Sequence, residues 1–232
     1  MSTYRDAVTV HRLAIGLAAL ILLLVGLPSL AQQKAPPPPN ERPLDDRIAR
    51  YERTERIDWQ KPDEIIKALN LRHGAVVADI GAGSGYFTRR FAKAVAAGGK
   101  VYAVDIDQDI LGFLKGAARK ENLNNIEIIV SKEDDPVLPE NSVDLVFFCD
   151  TTHHLTNRVA YYRTLSRALK PDARIAIVDF PPEANEKGHC PHEPDELVPR
   201  WQVIQEAEQA GFKLVEEFSF LPRQYFLIFK KR

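Results

Sequence analysis

Cysteine is scarce in this chain of 232 residues: only Cys149 and Cys190 occur. Two are too few for a disulfide scaffold, and their spacing supports no bridge between them. An excess of charge is missing as well. Lys and Arg number 31 against 32 Asp and Glu, a formal net charge of −1, so no global field draws in nucleic acid or anionic lipid. The basic clusters are not interleaved with aromatics, as they are where a protein holds RNA or DNA. No Gly-Lys-Ser/Thr follows a glycine-rich turn, which excludes a P-loop. Internal repeats are absent, and so is a large inserted recognition domain, which argues against a macromolecular target. What remains is an ordinary globular composition, 45 % hydrophobic, at a length that suits one substantial domain with a sizeable core.

One long apolar run stands at the beginning. Arg5, His11 and Arg12 precede Leu13 to Leu30, and Ser29-Leu30-Ala31 places small residues where a signal peptidase reads. Residues 1–31 therefore read as a secretory signal peptide. The alternative is an uncleaved anchor through residues 13–30, since about 18 apolar residues can just span a bilayer. No cysteine follows the run, which argues against a lipoprotein anchor. The expectation is an exported protein, periplasmic or membrane-anchored. Residues 32–56 form a linker: a stiff Ala-Pro-Pro-Pro-Pro tether, then a charged stretch with Leu44, Ile48 and Tyr51 at helical spacing. Residues 57–232 make the folded domain.

Within it, strand and helix patterns alternate. Strands are expected at 75–79, 101–105, 126–130, 143–149 and 174–180, and a final pair at 213–220 and 224–229. Helices are expected at 63–69, 86–96, 109–121, 157–169 (stopped by Pro171) and 197–210 (capped by Gly211). Several strands are near-continuous apolar runs, as in a parallel sheet covered on both faces. The fold class is α/β: a Rossmann-like, doubly wound sheet.

The most informative stretch is Val76-Val-Ala-Asp79-Ile-Gly81-Ala-Gly83-Ser-Gly85, an apolar strand that ends in an acid and enters three alternate glycines. Twenty residues past Gly85, a second apolar strand also ends in an acid, Asp105. The glycines let the backbone pass close to a ligand, since a side chain at Gly81, Gly83 or Gly85 would collide with it, and Asp105 can accept hydrogen bonds from two ribose hydroxyls. The spacing is G-x-G-x-G rather than the dinucleotide G-x-G-x-x-G.

This D-x-G-x-G-x-G motif resembles the first motif of the class I S-adenosylmethionine (SAM)-dependent methyltransferases, the methyltransferase type 11 or UbiE-like group. The resemblance covers roughly residues 59–230. It implies a seven-stranded sheet, mostly parallel, whose last strand runs antiparallel between the fifth strand and the one before it. It also implies SAM as cofactor, with Asp79, Gly81, Gly83 and Gly85 under its methionine and ribose, Asp105 on the ribose and Ile106 on the adenine. The family's adenine-binding acid falls at Lys132 here, which leaves Glu133 or Asp134 to take that part through a shifted loop.

The fourth strand runs into Asp150-Thr-Thr-His153-His154-Leu155, the edge that faces the transferred methyl in related enzymes. Asp150, His153 and His154 are the candidates for general base or acceptor orientation, since imidazole titrates near neutral pH. Tyr51 and Trp59 either close the pocket or pack on the sheet. His189-Cys190-Pro191-His192 invites a metal reading, but its spacing fits no standard site and no second cluster completes it. A substrate-covering lid is the better reading there, and no metal is expected. The implied function is methyl transfer to a small molecule. The alternative is a SAM-binding or scaffolding protein of the same fold without catalysis.

Overall fold

The computed structural model describes residues 42–186 and 196–232. The segments read as signal peptide and proline tether, and the His189-Cys190-Pro191-His192 cluster, lie outside the described residues. Among the described residues, no helix is long and apolar enough to cross a membrane.

Three short helices come first: α1 (Leu44–Tyr51), α2 (Arg56–Gln60) and α3 (Pro62–Leu69). The alternating part follows as β1 (Val76–Ile80), α4 (Thr88–Val95), β2 (Lys100–Asp105), α5 (Gln108–Lys120) and β3 (Ile126–Val130). The second half runs β4 (Val143–Cys149), a 3-10 turn at Thr152–His154, α6 (Arg158–Leu165), β5 (Leu169–Asp179), α7 (Glu183–Glu186), α8 (Arg200–Gln209), β6 (Phe212–Phe218) and β7 (Tyr225–Lys231). The strands form one sheet in the order β3-β2-β1-β4-β5-β7-β6. All pairs are parallel except those of β7, which lies antiparallel between β5 and β6. This is the arrangement the family resemblance implies.

The sheet buries both faces, and β4 shows how. Leu145 and Phe147 point into the layer packed by Phe87, Phe91 and Val101. Val146 and Phe148 point into the opposite layer with Tyr162 and Leu165. Each large side chain buried this way contributes about 1.5–3 kcal/mol. Alternation is thus apolar on both phases, which is why the strand reads as an unbroken apolar run. The helices start where the sequence can cap them. Asp107 accepts hydrogen bonds from the amides of Asp109 (3.0 Å) and Ile110 (3.2 Å) to open α5, and Asn157 accepts from Ala160 (3.1 Å) to open α6.

One boundary differs from the sequence expectation in kind. The helix over 157–169 ends at Leu165, and β5 starts at Leu169, so Pro171 lies inside the strand rather than stopping the helix. Leu169 pairs with Val143, and the next pair on the ladder is Arg174 with Leu145. Residues 170–173 therefore face a single residue of β4, and the proline sits in that irregularity, where no ladder N–H is required. The charged stretch 41–56 likewise breaks after Tyr51 into α1 and α2.

Candidate active site

The carboxyl ends of β1, β2, β4 and β5 open into a cavity of about 1200 Å³. This is where open α/β sheets bind ligands. Its wall on the β1–β2 side is largely main chain. Gly81 and Ala82 donate their amides to Val104 O at 2.8 and 3.0 Å, which turns the chain sharply after β1. The Asp105 carboxylate accepts the amide of Gly83 at 2.8 Å through Oδ2 and that of Asp107 at 3.1 Å through Oδ1. A carboxylate has four acceptor sites, so each oxygen keeps one for a ligand. Burial raises the pKa of Asp105 in spite of these hydrogen bonds.

Asp79 is almost fully buried beneath the bend and accepts the Thr88 hydroxyl at 2.6 Å. Burial drives its pKa up to about 7. A cationic group arriving beside it would therefore meet an acid poised to ionise.

The three glycines have different reasons to be glycine. A Cβ on Gly83 would meet only the Tyr51 ring, at 3.5 Å or more, so this position opens toward the cavity. A Cβ on Gly81 would lie 2.4 Å from Thr151 Oγ1, and one on Gly85 would lie 2.6 Å from Leu114 Cγ. Gly81 and Gly83 line the cavity, whereas Gly85 does not. The expectation that a side chain at any of the three would strike the ligand is thus corrected. At Gly85 the neighbour is α5, and the requirement is packing. Ile106 is exposed at the cavity edge, and Glu133 and Lys132 line it, but Asp134 does not.

Helix α1 lies over this half. Tyr51 covers Gly83, and Arg47 pairs with Asp107. Glu52 accepts the Ser84 hydroxyl at 2.6 Å and pairs with Arg89, which also pairs with Glu121 at 2.6 Å. Arg56 bonds Gln60 at 2.8 Å and stacks over Tyr86 at 3.8 Å. The Tyr86 hydroxyl is buried at the cavity wall without a hydrogen-bond partner among the described residues. An orphaned polar atom and an uncluttered bend beside a carboxylate fit a polar ligand of adenosyl type. Glu52, Arg56, Gln60 and Tyr86 were not singled out in the sequence. The first two carry one signal there, the charged stretch ahead of the first strand.

The β4–β5 side is built from side chains. Asp150 takes a left-handed backbone, φ +56°, and turns the chain into the histidine turn. Asp150, His153 and His154 all line the cavity, His154 on its exposed side, with the two imidazoles 4.1 Å apart. His153 Nδ1 lies 3.0 Å from Asp179 Oδ1, and the two side chains are 1 % and 0 % exposed. Burial acts to lower the pKa of His153. The hydrogen bond from Asp179 and the charges of Asp179, Asp150 and Glu196 outweigh it, and the net shift is upward. Asp179 ends β5 as Asp105 ends β2, yet it was not singled out in the sequence. Trp59 and Phe180 stack at 5.6 Å, and Arg223 lies 5.2 Å from the Trp59 ring. Both Tyr51 and Trp59 therefore face the cavity.

The architecture is that of a class I SAM-dependent methyltransferase, and residues 78–177 match a family described as a methyltransferase domain, Methyltransf_11. The solved SAM-dependent methyltransferase from Aquifex aeolicus superposes with a TM-score of 0.75 at 26 % identity, covering 82 % of this chain and 98 % of that one. A TehB-like SAM-dependent methyltransferase from Corynebacterium glutamicum shares the fold at a TM-score of 0.56 and 18 % identity, covering 74 % of this chain and 87 % of that one. Among curated proteins, the ubiquinone/menaquinone biosynthesis C-methyltransferase UbiE of Hydrogenovibrio crunogenus is 27 % identical over 53 % of this chain and 48 % of its own length. Its Escherichia coli counterpart is 26 % identical over 50 % of this chain and 46 % of its own length. The chain spans about half the length of the curated relatives it matches.

Proposed function

We propose that the protein is a SAM-dependent methyltransferase acting on a small-molecule acceptor. The observation that carries this is the Asp105 carboxylate fastened to the amide of Gly83, the glycine of the bend that opens toward the cavity. Asp105 holds the ribose, Asp79 faces the methionine ammonium, and Gly81 and Gly83 lie under the ligand. Ile106 and Glu133 border the adenine. Arg56 and Tyr86 stand where the methionine end meets the acceptor half.

SAM, when bound, supplies a methyl group on a sulfonium, already activated for transfer. The chain's own task is alignment and exclusion of water. Tyr51 covers the bend, and Trp59, Phe180, Leu197 and Val198 give the acceptor an apolar wall. His153 is the general base, with Asp150 and His154 orienting the acceptor beside it. The first 31 residues act as an export signal or anchor, which places the domain in the cell envelope. Fractionation of cells making the full chain tests that part, and recovery in the cytoplasm alone would remove it.

Calorimetry with SAM and with its demethylated product tests the central claim. Binding of both is expected, and binding of neither would end this reading. Binding without transfer to a broad acceptor panel would instead favour the non-catalytic alternative.

A further inference from the structure

We propose that the acceptor carries a carboxylate on an apolar body, and that Arg223 is the residue that selects it. This deepens the methyltransferase reading above and rests on it.

Arg223 reaches the cavity because the last strand runs backwards. Tyr225, the first residue of β7, pairs with Asp179, the last of β5. The connection 219–224 between β6 and β7 is therefore delivered to the carboxyl end of the sheet, and Arg223 lines the cavity from it. This turn is fastened from inside. Gln60, 1 % exposed, donates from Nε2 to Gln224 Oε1 at 3.0 Å, and its own Oε1 accepts Arg56 Nε at 2.8 Å. Trp59, next to Gln60 in α2, lies 5.2 Å from the Arg223 guanidinium and 5.6 Å from the Phe180 ring. A buried amide pair thus holds the indole and the guanidinium beside one another before any ligand arrives.

The charges of the cavity wall leave Arg223 over. Arg47 is paired with Asp107, and Arg158 with Glu206. Among the described residues, Arg223 makes neither an ion pair nor a hydrogen bond, and its contact is with the indole. Arg56 has no carboxylate partner there either, since it bonds Gln60 and the Tyr51 carbonyl. It stands over Tyr86, whose buried hydroxyl is unpartnered. SAM brings one carboxylate, on its methionine. Arg56 and Tyr86 are the seat for it, because the charge of Arg56 acts on Asp79, which takes the methionine ammonium. A second guanidinium without an acid calls for a second anion, and the acceptor is the molecule left to supply it.

Chemistry narrows that anion. A guanidinium lying over an indole keeps its N–H edge free, and two parallel N–H groups match a planar carboxylate. Asp150 and Glu196 line the same cavity, so a single negative charge is tolerated where a doubly charged phosphate monoester would be repelled. Arg223 is half-buried, so its pairing is screened less than that of an exposed charge. Behind the carboxylate, Trp59, Phe180, Leu197 and Val198 offer an apolar surface, which sets the body of the acceptor.

The test is a fluorescence titration of the full chain saturated with the demethylated product of SAM. The chain has two tryptophans, Trp59 and Trp201. Trp201 is 63 % exposed on α8, so Trp201→Phe leaves Trp59 as the reporter. The probes are phenylacetate, 3-phenylpropionate and 4-phenylbutyrate, each compared with its own primary amide, which keeps the body and lacks the charge. At least one acid is expected to change Trp59 emission and to bind about 10-fold or more tighter than its amide. Arg223→Met should bring that acid down to the level of the amide, with the affinities of the amide and of the demethylated cofactor unchanged. Arg223→Lys keeps the charge without the planar fork and should retain part of the preference.

Failure of every acid to bind more tightly than its amide would overturn the proposal, whether or not Arg223→Met folds. So would an unchanged preference in a folded Arg223→Met. A loss of affinity for the demethylated cofactor in that variant would also overturn it, since Arg223 would then serve the methionine carboxylate. Methyl transfer to neutral acceptors with the same kcat/KM as to their carboxylate analogues would count equally against it. Selective acid binding in a protein with no affinity for SAM or its product would sink the methyltransferase reading and leave the carboxylate site standing. Tight SAM binding without any preference for acids would sink the carboxylate site alone.

Discussion

On the β1–β2 side of the cavity the wall is main chain held by one carboxylate, and on the β4–β5 side it is side chains held by another. Asp105 fastens the amides of Gly83 and Asp107, so what faces the ligand there is backbone and one acid. Asp179 fastens Thr152, Phe180 and His153, so what faces the ligand there is an imidazole and two aromatic rings. A main-chain wall suits one invariant ligand and tolerates few changes of residue. A side-chain wall can be recut for different acceptors on the same frame.

Four experiments sharpen that contrast. The largest effect is expected at the glycines. Gly83→Val should remove SAM binding at a smaller cost in stability, because its Cβ finds only ordinary contact with Tyr51 and the cost is that of its φ of +53° alone. Gly85→Val should instead fail in stability. Its φ of +84° and the clash with Leu114 together lower the melting temperature by about 10 °C or more. Calorimetry and thermal melts on the pair check this. If Gly85→Val kept its melting point and lost the ligand, the packing role of Gly85 would fall.

Next comes Asp105→Ala. Two hydrogen bonds to a charged group are worth about 1.5–3 kcal/mol each, so affinity for SAM should drop by about 100-fold or more, with the far-ultraviolet spectrum unchanged. Normal affinity would move the ribose elsewhere.

The third effect is a pH dependence. The folded pKa of Asp79, about 7, lies above the ordinary value of 3.8, so the folded state binds this proton more tightly. The resulting stability is present at low pH and is lost as pH rises from 3.8 toward 7, by a few kcal/mol in all, about 1.4 per unit. Asp79→Asn should therefore melt higher than the parent protein at pH 8, and by clearly less at pH 5. In the parent protein, affinity for the cationic ligand should rise through pH 7. Parallel melting curves for the two proteins across this range would count against a buried, proton-holding Asp79.

The smallest effect is expected at Glu52→Gln. This loosens the link from α1 to Ser84 and Arg89, whose side chains are partly exposed, and should cost about 1 kcal/mol and weaken SAM binding a few-fold. No change in binding would mean that α1 stays in place without this link.

The main-chain half was legible in the sequence because its parts are local. The glycine bend follows its strand directly, Asp105 sits at a fixed distance, and both strands are apolar runs. Gly85 was misjudged because a motif carries spacing but not what stands opposite it; Leu114 lies on another helix. The side-chain half was legible only where the chain is continuous, at Asp150, His153 and His154. Trp59 was named with its two alternatives open, and Gln60, Asp179 and Arg223 come from distant segments that meet only when the sheet order is known. Asp179 had one clue, since it ends an apolar strand as Asp105 does. Pro171 misled because a proline stops helices more often than it occupies a strand irregularity.

The contact between Gly81 and Thr151 joins the two halves. Thr151 stands so close over the first glycine that even a methyl group there would overlap it, and two residues later the same chain presents His153. Neither segment can shift toward the other, so the floor of the donor half and the turn of the acceptor half are set together at a single threonine.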